Sequence, residues 1–273
     1  MIVIGSAYEH DCVERYINIH VESLTELEEQ LNKHPNEDKY VCWMYVNNLT
    51  GKIFPVKEIG ELCKKYNAYY ICDATAAIGH IKIEPNIDQW CSCLFASSHK
   101  WHGPKGNGFM WASDELATHL HLSKNPKDEY GMLWGTTDTP GICAMTEAFV
   151  HTVEHTAKNL DYYYHLTNYL YTSAFNAGLV ITERVKNGSQ AIHAITIPNI
   201  NADALQAYLA SKEIYVGLGH SACSNEADYR VLEAQGYTKE QAENTIRISF
   251  CEDNSYRDID MLVGAIKEFK EKF

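Results

Sequence analysis

The sequence lacks the segments that suit a membrane, a secretion route or a nucleic acid. No apolar run in the 273 residues approaches the roughly 20 residues that a helix needs to span a bilayer. The start of the chain has neither the basic residues nor the longer apolar core of a signal peptide. No run of Lys or Arg exceeds two residues, and the formal net charge is -13. We therefore expect neither nucleic acids nor membranes as partners.

Cysteine is present, but not in the spacing of a metal or redox motif. The chain has nine cysteines and no C-x-x-C pair. An odd number of cysteines in apolar contexts, where a thiol behaves as a small hydrophobe, indicates a reducing compartment. We therefore predict a cytoplasmic protein. The cysteines in apolar contexts are Cys42, Cys63, Cys72, Cys91 and Cys93.

Short apolar segments alternate with amphipathic helices over the first 140 residues or so. Such runs without polar alternation are typical of a mostly parallel sheet that is covered by helices on both faces. The alternation then stops, which predicts an α/β fold with a large domain over 1–150 and a smaller α+β domain over 151–273. The strands that we predict lie near 2–6, 40–46, 69–72, 90–96, 109–111, 179–184, 191–198 and 245–250.

The most informative segment follows the predicted strand at 90–96. It places Ser97, His99 and Lys100 in a turn that continues into a glycine-rich stretch, 103–108. A lysine among small hydroxyl side chains at a tight turn is typical of enzymes that present a lysine to pyridoxal phosphate (PLP). The alternative is an ordinary polar turn with a solvated lysine.

Two further residues suit the same chemistry. Asp73 ends the strand near 69–72, and a carboxylate there can pair with a protonated ring nitrogen of a cofactor. Cys223 lies in a polar loop of small residues, a setting that suits a reactive thiol, although an ordinary loop cysteine is the alternative. Asn48, Asp73 and Lys100 all follow the ends of predicted strands, which is where open α/β sheets bind ligands.

Together these motifs resemble the cysteine desulfurases of the NifS/IscS kind, which belong to the class V aminotransferase family of fold-type I PLP enzymes. The resemblance runs along the whole chain and implies a role for each matching position. Four residues would contact the ring side of the cofactor: His10 would stack on the PLP ring, Asn48 would contact cofactor and substrate, Asp73 would pair with the pyridinium, and Lys100 would form the Schiff base. Ser97 and His99 would bind the phosphate, and Thr136 would reach the phosphate of the neighbouring subunit. Cys223 would accept sulfur, and Arg247 would hold the substrate carboxylate.

The resemblance implies conversion of L-cysteine to L-alanine, with Lys100 and His10 moving protons and a persulfide formed on Cys223. A sulfur-acceptor protein, for example in iron–sulfur cluster assembly, would then take the sulfur. A homodimer is implied because Thr136 would serve PLP across a subunit interface. Selenocysteine lyase and aminotransferase activities stay open, although Cys223 favours sulfur transfer because transamination needs no second nucleophile.

Two departures from the family concern the residues that would bind the cofactor. Members have roughly ninety residues before the strand that begins here at Met1, including a phosphate-binding threonine at a helix N-terminus. The glutamine that follows the aspartate by three residues is Ala76 here. Two interpretations therefore stay open. The chain is a desulfurase completed by a separate N-terminal fragment or by its dimer partner, or it is a desulfurase-like scaffold with impaired catalysis.

One motif points elsewhere. His151 to His155 spell H-x-x-E-H, the inverted signature of zinc proteases. Short motifs match by chance, and no third ligand is evident in the sequence. We therefore expect a packing helix without a metal.

Overall fold

The structure is a computed structural model, and it describes residues 1–122, 129, 131–132, 135–182, 185–220 and 228–273. The chain divides into two compact units. Unit 1 comprises Met1–Ser6, Arg15–Tyr45 and Phe54–His155, and unit 2 comprises Ala7–Glu14, Val46–Ile53 and Thr156–Phe273. Two short segments from the N-terminal half therefore belong to the unit that the C-terminal half mainly forms. The division into domains at residue 150 stays a prediction.

Unit 1 is built on a six-stranded sheet. Its strands are β1 (Ile2–Ser6), β2 (Ile19–Val21), β3 (Lys39–Cys42), β4 (Ala68–Asp73), β5 (Cys93–Ser97) and β6 (Gly108–Ala112), in the order β2-β1-β3-β4-β5-β6. The pairs from β2 to β5 are parallel, and β6 runs antiparallel to β5. The predicted mostly parallel sheet is thus confirmed.

The residues of β3, β4 and β5 are all buried or half-buried, as expected for strands that are covered on both faces. Val41, Tyr70 and Cys72 are all fully buried. Two boundaries differ from the prediction. β5 begins only at Cys93, because the N–H of Cys91 still bonds the carbonyl of Ile87 in the preceding turn. β3 ends at Cys42, although Tyr45 continues beside β4 by donating to the Asp73 carbonyl at 2.9 Å.

The helices of unit 1 follow the signals in the sequence. Ser23 caps α2, since its hydroxyl accepts the N–H of Glu26 at 3.2 Å, and Leu27 and Leu31 are fully buried. α5 begins in unit 1 and ends in unit 2. The helices are α1 (Asp11–Glu14, in unit 2), α2 (Leu24–Lys33), α3 (Val56–Lys65), α4 (Asp114–His119) and α5 (Thr139–Asn176).

Unit 2 contains an antiparallel sheet in the order β7-β9-β8, which confirms the predicted α+β character of the C-terminal half. The predicted strand near 179–184 is wrong over 179–182, where no strand forms. Its remaining two positions lie outside the described residues. The elements are β7 (Ile192–Thr196), α6 (Ala202–Ala210), β8 (Gly217–Leu218), α7 (Arg230–Glu233), α8 (Lys239–Glu243), β9 (Thr245–Ser249) and α9 (Tyr256–Lys272).

Within the ranges that the structure describes, no helix is both long and apolar enough to cross a lipid bilayer. Cys63, Cys72, Cys91 and Cys93 are buried thiols rather than disulfides. Burial raises the pKa of the Cys93 thiol to about 11. Cys93 is therefore an uncharged core residue.

Candidate active site

Lys100 lies at the end of a tight turn that directly follows β5. The turn is braced from inside by Ser98, whose carbonyl accepts the N–H of Gly103 at 3.0 Å and whose hydroxyl donates to the Pro104 carbonyl. Trp101, next in the chain, is only 1% exposed and packs against Phe109 and Phe149. The Lys100 side chain is exposed, as is that of His99, whereas Ser98 before this pair and Trp101 after it are buried. The backbone at Lys100 is therefore held firmly while the amine stays accessible.

A chain of hydrogen bonds links the ends of β4 and β5. Asp73 is 7% exposed, and its Oδ1 accepts the N–H of Thr75 at 2.8 Å. The Thr75 hydroxyl in turn accepts the N–H of Ser97 at 3.3 Å. The Ser97 hydroxyl lies 3.0 Å from Nδ1 of His99. The structure thus brings Asp73, Ser97 and His99 together around the strand ends, with Lys100 next in sequence.

Thr75 was missed by the sequence analysis. The signal for it was local, because an aspartate at a strand end often accepts the N–H two residues later in an Asx turn. Its second contact, to Ser97 on the neighbouring strand, depends on the sheet register and has no local signal.

The electrostatics of this cluster favour a neutral His99. Burial lowers the pKa of His99, and the cations of Lys100 and Lys105 lower it further. The sequence analysis also missed His80, whose pKa is lowered as well. Burial is the main cause, and the nearby His102 and Lys100 lower this pKa by smaller amounts. Because a carbonyl only accepts, His80 donates its Nδ1–H to the Ala76 carbonyl at 3.3 Å.

In unit 2, His10 lies directly before the first residue of α1. Its carbonyl accepts the N–H of Val13 at 2.8 Å and of Glu14 at 3.0 Å. Its ring Nδ1 accepts the N–H of Cys12 at 3.3 Å, and the Cys12 Sγ lies 3.2 Å from the same nitrogen. A neutral His10 that accepts at Nδ1 carries its proton on Nε2.

Asn48 follows a buried asparagine that shapes its loop. The Asn47 side chain accepts the N–H groups of Leu49 and Thr50 at 3.1 and 2.9 Å, and its amide donates to the Tyr8 carbonyl at 3.2 Å. The loop closes at Gly51, whose φ of +73° suits glycine. Asn48 is thereby placed at the tip of the loop.

Arg247, on β9, contacts the same loop. Its Nη1 donates to the Asn48 carbonyl at 3.2 Å, and burial lowers the guanidinium pKa. The buried Nε has no hydrogen-bond partner among the described residues. A Cβ at Gly217 would lie 2.9 Å from that Nε, so glycine there lets the guanidinium lie close against the backbone of β8. An unsatisfied buried donor of this kind suits a carboxylate ligand.

Two predicted site residues remain, Thr136 and Cys223. Thr136 lies exposed in unit 1 on the segment before α5. Asp138 ties that segment to the Lys100 loop, because its Oδ2 accepts the Asn107 amide at 3.2 Å. Cys223 lies outside the described residues.

The H-x-x-E-H motif, His151 to His155, lies on α5. The two rings stack with centroids 4.2 Å apart on α5. Within the described residues no group of three or more His, Cys, Asp or Glu side chains could hold a metal ion.

Comparisons with known proteins identify the family. Residues 15–262 match the profile of the family described as Aminotransferase class-V. The chain belongs to the class V aminotransferase family. Members of this family are PLP-dependent, and the mostly parallel sheet agrees with their fold-type I architecture.

Within this class V family the chain is similar to proteins of the NifS/IscS kind. It is 29% identical over 259 residues to cysteine desulfurase IscS of Clostridium botulinum (strain Kyoto / Type A2), covering 92% of this chain and 64% of that protein. It is 30% identical over 262 residues to cysteine desulfurase IscS of Pasteurella multocida (strain Pm70), covering 92% and 62%. A solved NifS-like protein superposes with a TM-score of 0.84 at 25% identity, covering 100% of this chain and 75% of that one. The chain thus spans 64% of the length of the first relative.

Proposed function

We propose that this chain acts as a PLP-dependent cysteine desulfurase of the cytoplasm. It would work as a homodimer that converts L-cysteine to L-alanine and passes sulfur through Cys223 to an acceptor protein. The observation that carries the proposal is the accessible Lys100 on its braced turn, beside the linked side chains of Asp73, Ser97 and His99. The named relatives, both called cysteine desulfurases, support the choice of substrate.

The residues of unit 1 fit PLP by the chemistry of their donors. Asp73, in its ionised form, would hold a protonated ring nitrogen, and Thr75 keeps this carboxylate oriented through its backbone N–H. Ser97 and His99 would donate to a phosphate, a task that a neutral imidazole performs through its N–H. Thr136 would do the same for the partner's cofactor. When bound, PLP supplies an electron sink for negative charge next to the substrate nitrogen.

The remaining steps belong to the chain's own side chains. The Lys100 amine would take and return the proton at the substrate's α carbon. Arg247 would fork the substrate carboxylate with its Nε and terminal nitrogens, and Asn48 would orient the same end of the substrate. His10 would stack on the cofactor and hold a proton at Nε2.

Sulfur transfer needs a second nucleophile. The Cys223 thiolate would attack the substrate sulfur, forming an S–S bond while the carbon–sulfur bond breaks and its electron pair goes to the carbon side, which is then protonated. The product on the protein is a persulfide. An acceptor thiolate would then take the outer sulfur and release Cys223 as thiolate.

The test begins with the purified chain supplied with PLP. We expect a visible absorption band from the bound cofactor, a change of that band on adding L-cysteine, and production of alanine. Borohydride reduction followed by peptide mapping should place the cofactor on Lys100. Lys100→Ala should abolish the band, whereas Lys82→Ala, at another exposed lysine of unit 1, should leave it unchanged.

Cysteine variants then separate cofactor binding from sulfur transfer. Cys223→Ser should keep the absorption band but lose sulfur transfer, while Cys143→Ser, at an exposed cysteine of α5, should keep both. Sedimentation should show a dimer. A chain that stays colourless with PLP, or that carries the cofactor on another lysine, contradicts the proposal.

A further inference from the structure

Arg230, the first residue of α7, donates two hydrogen bonds to the segment that carries His10. Its Nη1 donates to the Ala7 carbonyl at 2.6 Å and its Nη2 donates to the Glu9 carbonyl at 3.0 Å. The two carbonyls flank Tyr8, so the fork of the guanidinium spans the turn that follows β1. Such bonds from a cation are stronger than neutral ones, and the planar fork fixes their direction.

Carboxylates surround the same guanidinium. The Glu14 carboxylate lies 3.3 Å from Nη1, Asp228 lies 3.7 Å from Nε, and Asp11 lies 3.9 Å from Nη2. Asp11 and Glu14 are the two ends of α1, whose first turn is anchored on the His10 carbonyl. Arg230 therefore holds His10 from both sides, by backbone carbonyls before it and by acidic side chains after it.

Neighbouring residues add to this attachment. The Tyr8 hydroxyl donates to the Ala234 carbonyl at 3.4 Å, and the Thr50 hydroxyl donates to Gln235 at 2.8 Å. The residues of α7 and just after it thus contact both the segment 7–14 and the loop that carries Asn48. Arg230 also follows Cys223 by seven positions in the sequence.

We propose that Arg230 is a positioning residue for His10: its guanidinium fixes the backbone that carries the His10 ring. The assignment of a catalytic role to His10 rests on the proposed function, but the placement itself does not. A lysine would keep the charge at this position but reach only one carbonyl, and a methionine would remove both bonds and the positive charge beside the three carboxylates.

A double-mutant cycle tests the inference in the PLP-loaded chain. Arg230→Met should lower kcat for L-cysteine at least about tenfold, since even one of its two charge-assisted hydrogen bonds is expected to contribute that much, with KM within about twofold. Arg230→Lys should restore part of it. In a His10→Ala background Arg230→Met should have no further effect, because the arginine acts through the histidine. Arg257→Met, at an exposed arginine of α9, should change nothing.

A second readout does not depend on activity. Hydrogen exchange of the amides at 7–14 should speed up about tenfold in Arg230→Met, with the amides of α6 unchanged. Equal acceleration in both segments, or none in either, overturns the inference, as does full additivity with His10→Ala. If Arg230→Met does not fold, Arg230→Lys decides by the same exchange measurement. An inactive parent chain defeats the proposed function, while exchange at 7–14 still decides the role of Arg230.

Discussion

Replacing Gly51 by alanine should disturb the loop that carries Asn48 far more than backbone conformation alone predicts. Gly51 has a φ of +73°, and a Cβ there would lie 2.3 Å from the backbone carbonyl oxygen of Ile192. Gly178, at the end of α5 in the same unit, has the same φ of +73° and nothing within 4 Å of its Cβ position. The two glycines therefore form a matched pair that separates the clash from the conformation.

The magnitudes follow from these two terms. A non-glycine residue in the left-handed region costs about 1–2 kcal/mol, and this cost applies equally to Gly51→Ala and Gly178→Ala. The gain from stiffening the unfolded chain is also common to both. Only Gly51→Ala must push a backbone carbonyl aside, which costs about 1–3 kcal/mol more. For a chain of this size we expect that difference as about 2–4 °C in Tm per kcal/mol.

The assay compares both variants with the parent chain by denaturant and thermal unfolding. Gly51→Ala should also raise KM for L-cysteine, because the displaced loop moves the Asn48 carbonyl from the Arg247 Nη1 that lies 3.2 Å away. Gly178→Ala should leave KM unchanged. Equal losses of stability in the two variants would refute the reasoning, since the Ile192 contact would then cost nothing.

Two further predictions concern unit 1. Thr75→Val removes the acceptor for the Ser97 N–H and should weaken PLP binding about tenfold. Thr75→Ser keeps the hydroxyl, so its affinity for PLP should stay within about twofold of the parent's. PLP titration measures both variants, and equal weakening would contradict the role of the hydroxyl. Because burial first and the nearby lysines second lower the pKa of His99 from 6.5, the stability that its neutral ring contributes is complete above pH 6.5 and lost as the pH falls through the lower folded value. Lys105→Gln should raise the pKa of His99 in NMR titrations, and an unchanged value would remove Lys105 as a cause.

Much of the sheet was predictable because its signals are local. Buried strands appear in the sequence as apolar runs, and Ser23 caps α2 through a contact to Glu26 only three residues later. α9 buries Ile259 and Phe269 at helical spacing, as the periodicity indicates. The turn that carries Lys100 was predictable for the same reason, since it lies wholly between β5 and β6; the role of Lys100 stays a prediction.

The remainder depends on contacts that no window of sequence contains. Arg230 and Ala7 are 223 positions apart, and Thr50 and Gln235 are 185 apart. Periodicity therefore could not assign the segments 7–14 and 46–53 to unit 2, nor single out Arg230. Composition alone predicted a strand near 179–182, but these positions form none, although the Thr182 N–H donates to the Thr196 carbonyl of β7 at 3.2 Å.

The assignment of residues 7–14 to unit 2 has a consequence for the order in which the chain matures on the ribosome. At about 5–20 residues per second, Arg230 emerges roughly 10–45 s after Ala7. During that interval the strands β1 and β3 can pair with their neighbours. The segments 7–14 and 46–53, which follow these strands, still lack their final contacts in unit 2. The His10 and Asn48 segments are thus the last pieces of the N-terminal half to mature, and a nascent chain stalled before α7 holds a sheet without them.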